Sequence, residues 1–101
     1  MYKTIPLPSF RRDLKRLTRK HYQMAYLKDV VSILAEGDQQ ELLMQRYADH
    51  LLSSDSSWRG HRELHVARRY NDDWLLIYRL DREEGVLELV RTGSHRQLLG
   101  V

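Results

Sequence analysis

Apolar positions are densest in the last third of the chain, where they fall at strand spacing. Residues 73–80 (DWLLIYRL) are rich in aromatic and branched side chains, and residues 86–92 (VLELVRT) resume the pattern after an acidic turn closed by Gly85. The two runs predict an antiparallel hairpin. Side chains alternate along a strand, so Trp74, Leu76, Tyr78 and Leu80 share one face, while Asp73, Leu75, Ile77 and Arg79 share the other. Both faces are largely apolar, as in a strand with neighbours on each side. Upstream, residues 62–67 (RELHVA) alternate again, with Leu64 and Val66 opposite Glu63 and His65, and predict a shorter third strand. Downstream, Gly93 breaks the hairpin and Ser94 can cap a last helical turn over residues 95–99.

The first half carries a helical period. After a strand-like start over residues 2–5, Pro6 and Pro8 punctuate the chain. Ser9 is the expected cap of a helix that presents Phe10, Leu14 and Leu17 at i, i+4 and i+7, with Arg11, Arg12, Lys15, Arg16, Arg19 and Lys20 on the other face. A second helix aligns Leu27, Val30, Val31 and Leu34 and ends at Gly37. The pair predicts a helical hairpin covering one face of the sheet. A further helical stretch is expected over residues 40–47, then a loop carrying His50 and a Ser-rich link over 53–57. There is no internal repeat. The expected architecture is α+β, an N-terminal helical hairpin on a mostly antiparallel twisted sheet with a short C-terminal helix, in one domain over residues 1–101.

Composition narrows the function classes. Hydrophobic residues make up 42% and charged residues 31% of the chain, and no apolar run reaches the roughly 20 residues that would cross a bilayer. No secretory leader precedes Pro6, so the expected compartment is the cytoplasm, with no membrane partner. The absence of cysteine excludes disulfides, thiol nucleophiles and zinc–thiolate sites. Net charge is only +3, yet 13 of the 17 basic residues are arginine, whose planar fork suits phosphate oxygens. The basic face of the first helix can track a nucleic-acid backbone, meet an acidic partner, or simply be solvated.

The histidines offer two chemistries. His61 and His65 are four apart, but the zincin pattern needs Glu directly after the first His, and Arg62 stands there. On a strand His61, Glu63 and His65 share a face that could hold a metal, although the neighbouring arginines oppose a dication. The other chemistry is metal-free cleavage of a phosphodiester. It needs a base for the 2′-hydroxyl proton, an acid for the departing 5′-oxygen, and a cation for the charge growing on phosphorus. His65, Asp73, Arg91 and His95 are the candidates, with His50 reaching in from the preceding loop.

Three segments, SWRGHRELHV from Ser57, DDWLLIYRL, and LVRTGSHRQLLG ending at Gly100, resemble the YafQ branch of the RelE-like toxins of bacterial type II toxin–antitoxin systems. The likeness is densest over the last half, His50 included, and extends to FRRDLKRL at residues 10–17. It implies a small α+β mRNA endoribonuclease acting in the ribosomal A site, without cofactor or metal. It further implies His50, His65, Asp73 and His95 as the acid–base set, with His95 the acid and the base one of the other three. Arg91 becomes the phosphate clamp, and Trp74 lies beside the site. Arg62, Arg68, Arg69 and Leu99 join Trp74 as expected substrate contacts. The implied partners are the ribosome with its mRNA, a cognate antitoxin encoded elsewhere, and operator DNA only through the antitoxin complex. A non-catalytic nucleic-acid-binding or interaction module of the same fold is the alternative.

Two positions depart from the branch. The link between His65-Val66 and Asp73-Trp74 is longer than the branch pattern, and Leu99 occupies a place where an aromatic typically stacks on a base. Such stacking contributes about 1–3 kcal/mol per base.

Overall fold

The apolar run at Trp74 to Tyr78 becomes the middle strand of a five-stranded sheet. The computed structural model describes residues 1–52 and 56–100, so that of the expected Ser-rich link over 53–57 residues 53–55 lie outside the described residues and Ser56 and Ser57 open a 3-10 turn. In chain order the elements are β1 (Lys3–Pro6), α1 (Pro8–Arg19), α2 (Met24–Glu36), α3 (Gln40–Tyr47), β2 (His50–Leu51), a 3-10 turn (Ser56–Trp58), β3 (Arg62–Ala67), β4 (Asn71–Asp81), β5 (Val86–Gly93) and α4 (His95–Leu99). The strands lie in the order β1-β5-β4-β3-β2. Only the β1–β5 pair is parallel, so the sheet is mostly antiparallel, as expected.

Alternation along β4 builds both layers. Trp74, Leu76 and Tyr78 point toward the helices, into a core with Phe10 and Leu17 of α1, Leu27, Val30 and Leu34 of α2, and Leu43 of α3. Leu75 and Ile77 point the other way, into a smaller cluster with Leu52 and Leu98 that Trp58, Val90 and Leu99 partly cover. Each fully buried large side chain contributes about 1.5–3 kcal/mol of transfer free energy. The helices thus take one face, and α4 shelters part of the other.

Two expectations need correction at the N-terminal end and at residue 50. Helix α1 begins at Pro8 with Leu7 as N-cap, because proline's fixed φ suits the first helical position and its missing N–H costs nothing there. Ser9 therefore lies inside the first turn, where its hydroxyl donates to the Val90 carbonyl at 2.6 Å and ties α1 to β5. His50 is not in a loop. It opens the two-residue strand β2 opposite Glu63, a tertiary pairing that so short an element does not announce in sequence.

The second helix ends on Gly37 at φ +83, and a Cβ there would sit 2.7 Å from the Tyr2 ring. Left-handed backbone and close packing both require glycine at that place.

Candidate active site

Strand register gathers the ionisable groups. Cross-strand partners share a face, so the pairs His50↔Glu63, Glu63↔Ile77 and His65↔Leu75 put His50, Glu63 and His65 on the face away from the main helical layer. Asp73 precedes Leu75 by two residues in β4 and lies on the same side. His95 is brought there by α4, which Ser94 caps with a full capping box: its hydroxyl accepts from Gln97 N, and Gln97 Oε1 accepts from Ser94 N. Gly93 favours that box, since at its φ of +154 any other residue would be strained and a Cβ would lie 2.7 Å from Gln97 Oε1 and displace it. His50, His65, Asp73 and His95 therefore meet, as the sequence led one to expect.

Hydrogen bonds fix which nitrogen of each ring is free. His50 Nδ1 lies 2.8 Å from the Ala48 carbonyl and His65 Nδ1 2.6 Å from the Asp72 carbonyl. Carbonyl oxygens only accept, so both Nδ1 atoms carry protons. His95 Nδ1 donates to Asp73 Oδ1 at 2.9 Å, and the same oxygen accepts from the His95 backbone N–H at 3.1 Å. These bonds from the His95 side chain and backbone hold the Asp73 carboxyl below its ordinary 3.8. Asp73 thus orients His95. In all three rings Nε2 is left for chemistry, and the His65 and His95 rings are 5.9 Å apart, centre to centre.

Glu63, absent from the expected catalytic set, sits at the centre. It is 3% exposed, with Oε1 at 3.4 Å from His50 Nε2 and 4.0 Å from His95 Nε2. Its Oε2 is buried with no hydrogen-bond partner among the described residues. The two-residue spacing to His65 marks it as facing the same way, but its burial depends on β2 and α4 and is invisible in the strand pattern. Among the described residues no group of three or more His, Asp or Glu is placed to hold a metal ion.

The other expected residues divide. Arg91 pairs with Ile77 in register, so it shares the histidine side of the sheet, yet its contacts run to α1: Nε and Nη2 donate to Asp13 at 2.7 and 3.1 Å. Glu88, on the same strand, bonds Arg79 instead. Trp74 does not lie beside the site. Alternation turns it into the helical core, 0% exposed, where its Nε1–H donates to Thr92 at 2.9 Å. It has no surface for substrate. Arg62 likewise faces the helices, opposite Tyr78, and its guanidinium is committed to Asp49 at 3.1 Å. Asp49 also accepts from the Tyr78 hydroxyl, whose pKa burial and that carboxylate push far up. Arg68 and Arg69 are exposed on the turn between β3 and β4, and Leu99 packs half-buried against Leu75, Ile77 and Leu98.

The family model for the bacterial toxin of type II toxin–antitoxin systems, YafQ, matches residues 2–100. The mRNA interferase toxin YafQ of Escherichia coli (strain B / BL21-DE3) is 36% identical over 91 residues, which cover 90% of this chain and 88% of that protein. The crystal structure of the E. coli DinJ-YafQ complex superposes with a TM-score of 0.79 at 33% identity, covering 99% of this chain and 100% of the matched one. A metal-bound toxin from Helicobacter pylori superposes with a TM-score of 0.82 at 32% identity, covering 98% and 100%. Sheet order, helical layer and the R-T-G-S-H turn at 91–95 are accounted for together: the chain belongs to the YafQ family of bacterial toxins of type II toxin–antitoxin systems.

Proposed function

We propose that this toxin is an endoribonuclease that cuts mRNA by metal-free acid–base chemistry, with His65 as base and His95 as acid. One observation carries the reading: both rings have Nδ1 pinned and present Nε2 on one side of the sheet. His65 Nε2 takes the proton of a ribose 2′-hydroxyl. The 2′-oxygen then bonds to the adjacent phosphorus as the bond from phosphorus to the 5′-oxygen breaks, and His95 Nε2 delivers a proton to that oxygen. The products are a 2′,3′-cyclic phosphate and a 5′-hydroxyl end. Each acid or base in such a step contributes about 10²–10⁴-fold.

The remaining groups support these two. Asp73 holds the His95 ring through Nδ1, and the Glu63 carboxylate faces the Nε2 atoms of His50 and His95 at 3.4 and 4.0 Å, where its charge favours an imidazolium. Arg91, held by Asp13, keeps its remaining N–H groups for the phosphate. The ribosome is the natural place to align the 2′-hydroxyl with the phosphorus, a contribution of geometry that a shallow site on a sheet face does not make alone. A cognate antitoxin neutralises the toxin, in keeping with the E. coli DinJ-YafQ complex, and operator DNA is met only through that antitoxin.

The test is primer extension on a defined mRNA in a reconstituted translation mixture, with and without ribosomes. Wild type is expected to cut within codons only when ribosomes are present, and His95→Ala to lose about 10²–10⁴-fold in rate. Cuts that persist unchanged in His95→Ala remove it as acid. No cuts by wild type leave a nucleic-acid-binding module.

A further inference from the structure

Beside the histidines, around the end of the sheet, lies a groove of about 820 Å³ between α2, α3 and the turn joining β3 to β4. Its lining is unlike that of the other surfaces. Tyr26 of α2 and Tyr70 of the turn are 39% and 40% exposed and stack on each other with ring centres 5.0 Å apart and planes 28° from parallel. Arg46 of α3 and Arg69 of the turn also line it, and their guanidinium groups form no ion pair or hydrogen bond among the described residues. A third arginine, Arg68, is paired with Asp72 at 3.7 Å. Asp72 in turn accepts from His65, so the groove begins where the site ends. Asp29 is the remaining acidic residue on its wall.

We propose that this groove binds single-stranded RNA, carrying the strand that leaves the histidine site across the turn at residues 67–72. The inference rests on the nuclease reading for what the RNA is, and on the groove's own chemistry for how it is held. Unpaired arginines supply phosphate contacts, and an exposed aromatic pair supplies a face on which a base of any identity can stack. Arg68, Arg69 and Tyr70 all lie on the turn between β3 and β4, next to the end of β3 that carries His65, so one short segment joins the groove to the histidine site. Unpaired arginines favour a polyanion over an apolar peptide, and the tyrosines favour an unstacked strand over a duplex.

The experiment measures anisotropy of a labelled 2′-O-methyl RNA of about 12 nucleotides, long enough to span site and groove, with the full chain. The methyl group removes the nucleophile, so binding is read without cutting. Over roughly 50–200 mM salt, Arg46→Ala/Arg69→Ala is expected to flatten the slope of log K against log salt by about 1.4, two phosphates at about 0.7 each. At fixed salt Tyr26→Ala is expected to weaken binding by about 5- to 100-fold. An unchanged slope in the double variant, whose arginines hold nothing else in place, overturns the groove, as does a wild type that does not bind. Parallel primer extension separates the two readings. Binding that needs the groove without any cutting sinks the nuclease and keeps the groove, while cutting with groove-independent binding does the reverse.

Discussion

The two faces of the sheet treat buried carboxylates in opposite ways, although Arg16 Nε on α1 is itself buried without a partner among the described residues. On the helix-covered side and at its edge, both oxygens of each buried carboxylate have partners: Asp13 accepts from Arg91 and the Thr92 N–H and is ion-paired with Arg16, and Asp49 accepts from Arg62 and Tyr78. On the histidine side Glu63 keeps an oxygen with no partner among the described residues, and three imidazoles keep Nε2 free of carbonyl or carboxylate bonds shorter than 3.4 Å. Saturation fixes a structure, because removing any partner leaves a charge buried and alone. Incomplete saturation costs stability and leaves groups able to exchange protons. The same sheet has a scaffold on one side and the candidate site on the other.

The comparison is broken most severely at Asp13. Asp13→Ala strips Arg91, Arg16 and a strand N–H of their acceptor at once, and is expected to lower stability by about 3–5 kcal/mol in urea unfolding. A loss under 1 kcal/mol would mean that water replaces the carboxylate and that the covered side is not the tightly saturated layer described.

Glu63→Gln sharpens the contrast, since it should act in the reverse sense. Removing a buried charge that lacks a full set of donors is expected to stabilise the fold by about 1–3 kcal/mol. Cleavage is expected to slow by roughly 10- to 100-fold, the worth of one hydrogen bond to a charged group. Equal changes at every pH would assign Glu63 a packing role; a displaced pH optimum would assign it to positioning His50 and His95.

The smallest effect is at exposed Asp73. Its folded carboxyl titrates below the ordinary 3.8, so its contribution to stability is complete above that value and is lost as pH falls through the folded one. Asp73→Asn should therefore be less stable than wild type at neutral pH and converge with it in acid. The gap, a few tenths of a kcal/mol for so exposed a pair, is read by thermal unfolding from about pH 2 to 7. Curves that stay parallel over that range would leave the His95 bond without a part in stability.

Much of the site was legible because β4 and its neighbours obey a period of two. Placing His65 and Asp73 needed only alternation, and Gly93-Ser94 marked the cap that delivers His95. The same rule turns Trp74 away from Asp73, as it stands one residue further along the strand. The resemblance put it beside the site; the face it occupies put it in the core. Arg62 fails for the same reason, since it opens β3 one residue before Glu63 and so takes the opposite face.

Most of the elements, the α+β class and the family could be read from the chain alone, since these rest on local period, capping residues and short motifs, whereas β2 at His50 could not. With no cysteine in the chain, thiol chemistry was excluded and histidine and carboxylate remained the candidates. Only the tertiary structure decided the partners of the charges. Arg91 meets Asp13 across 78 positions, and Glu63 becomes buried when β2 and α4 close around it. Contacts of that kind leave no periodic trace, because each is set by how separate elements pack and not by the order of residues within any one of them.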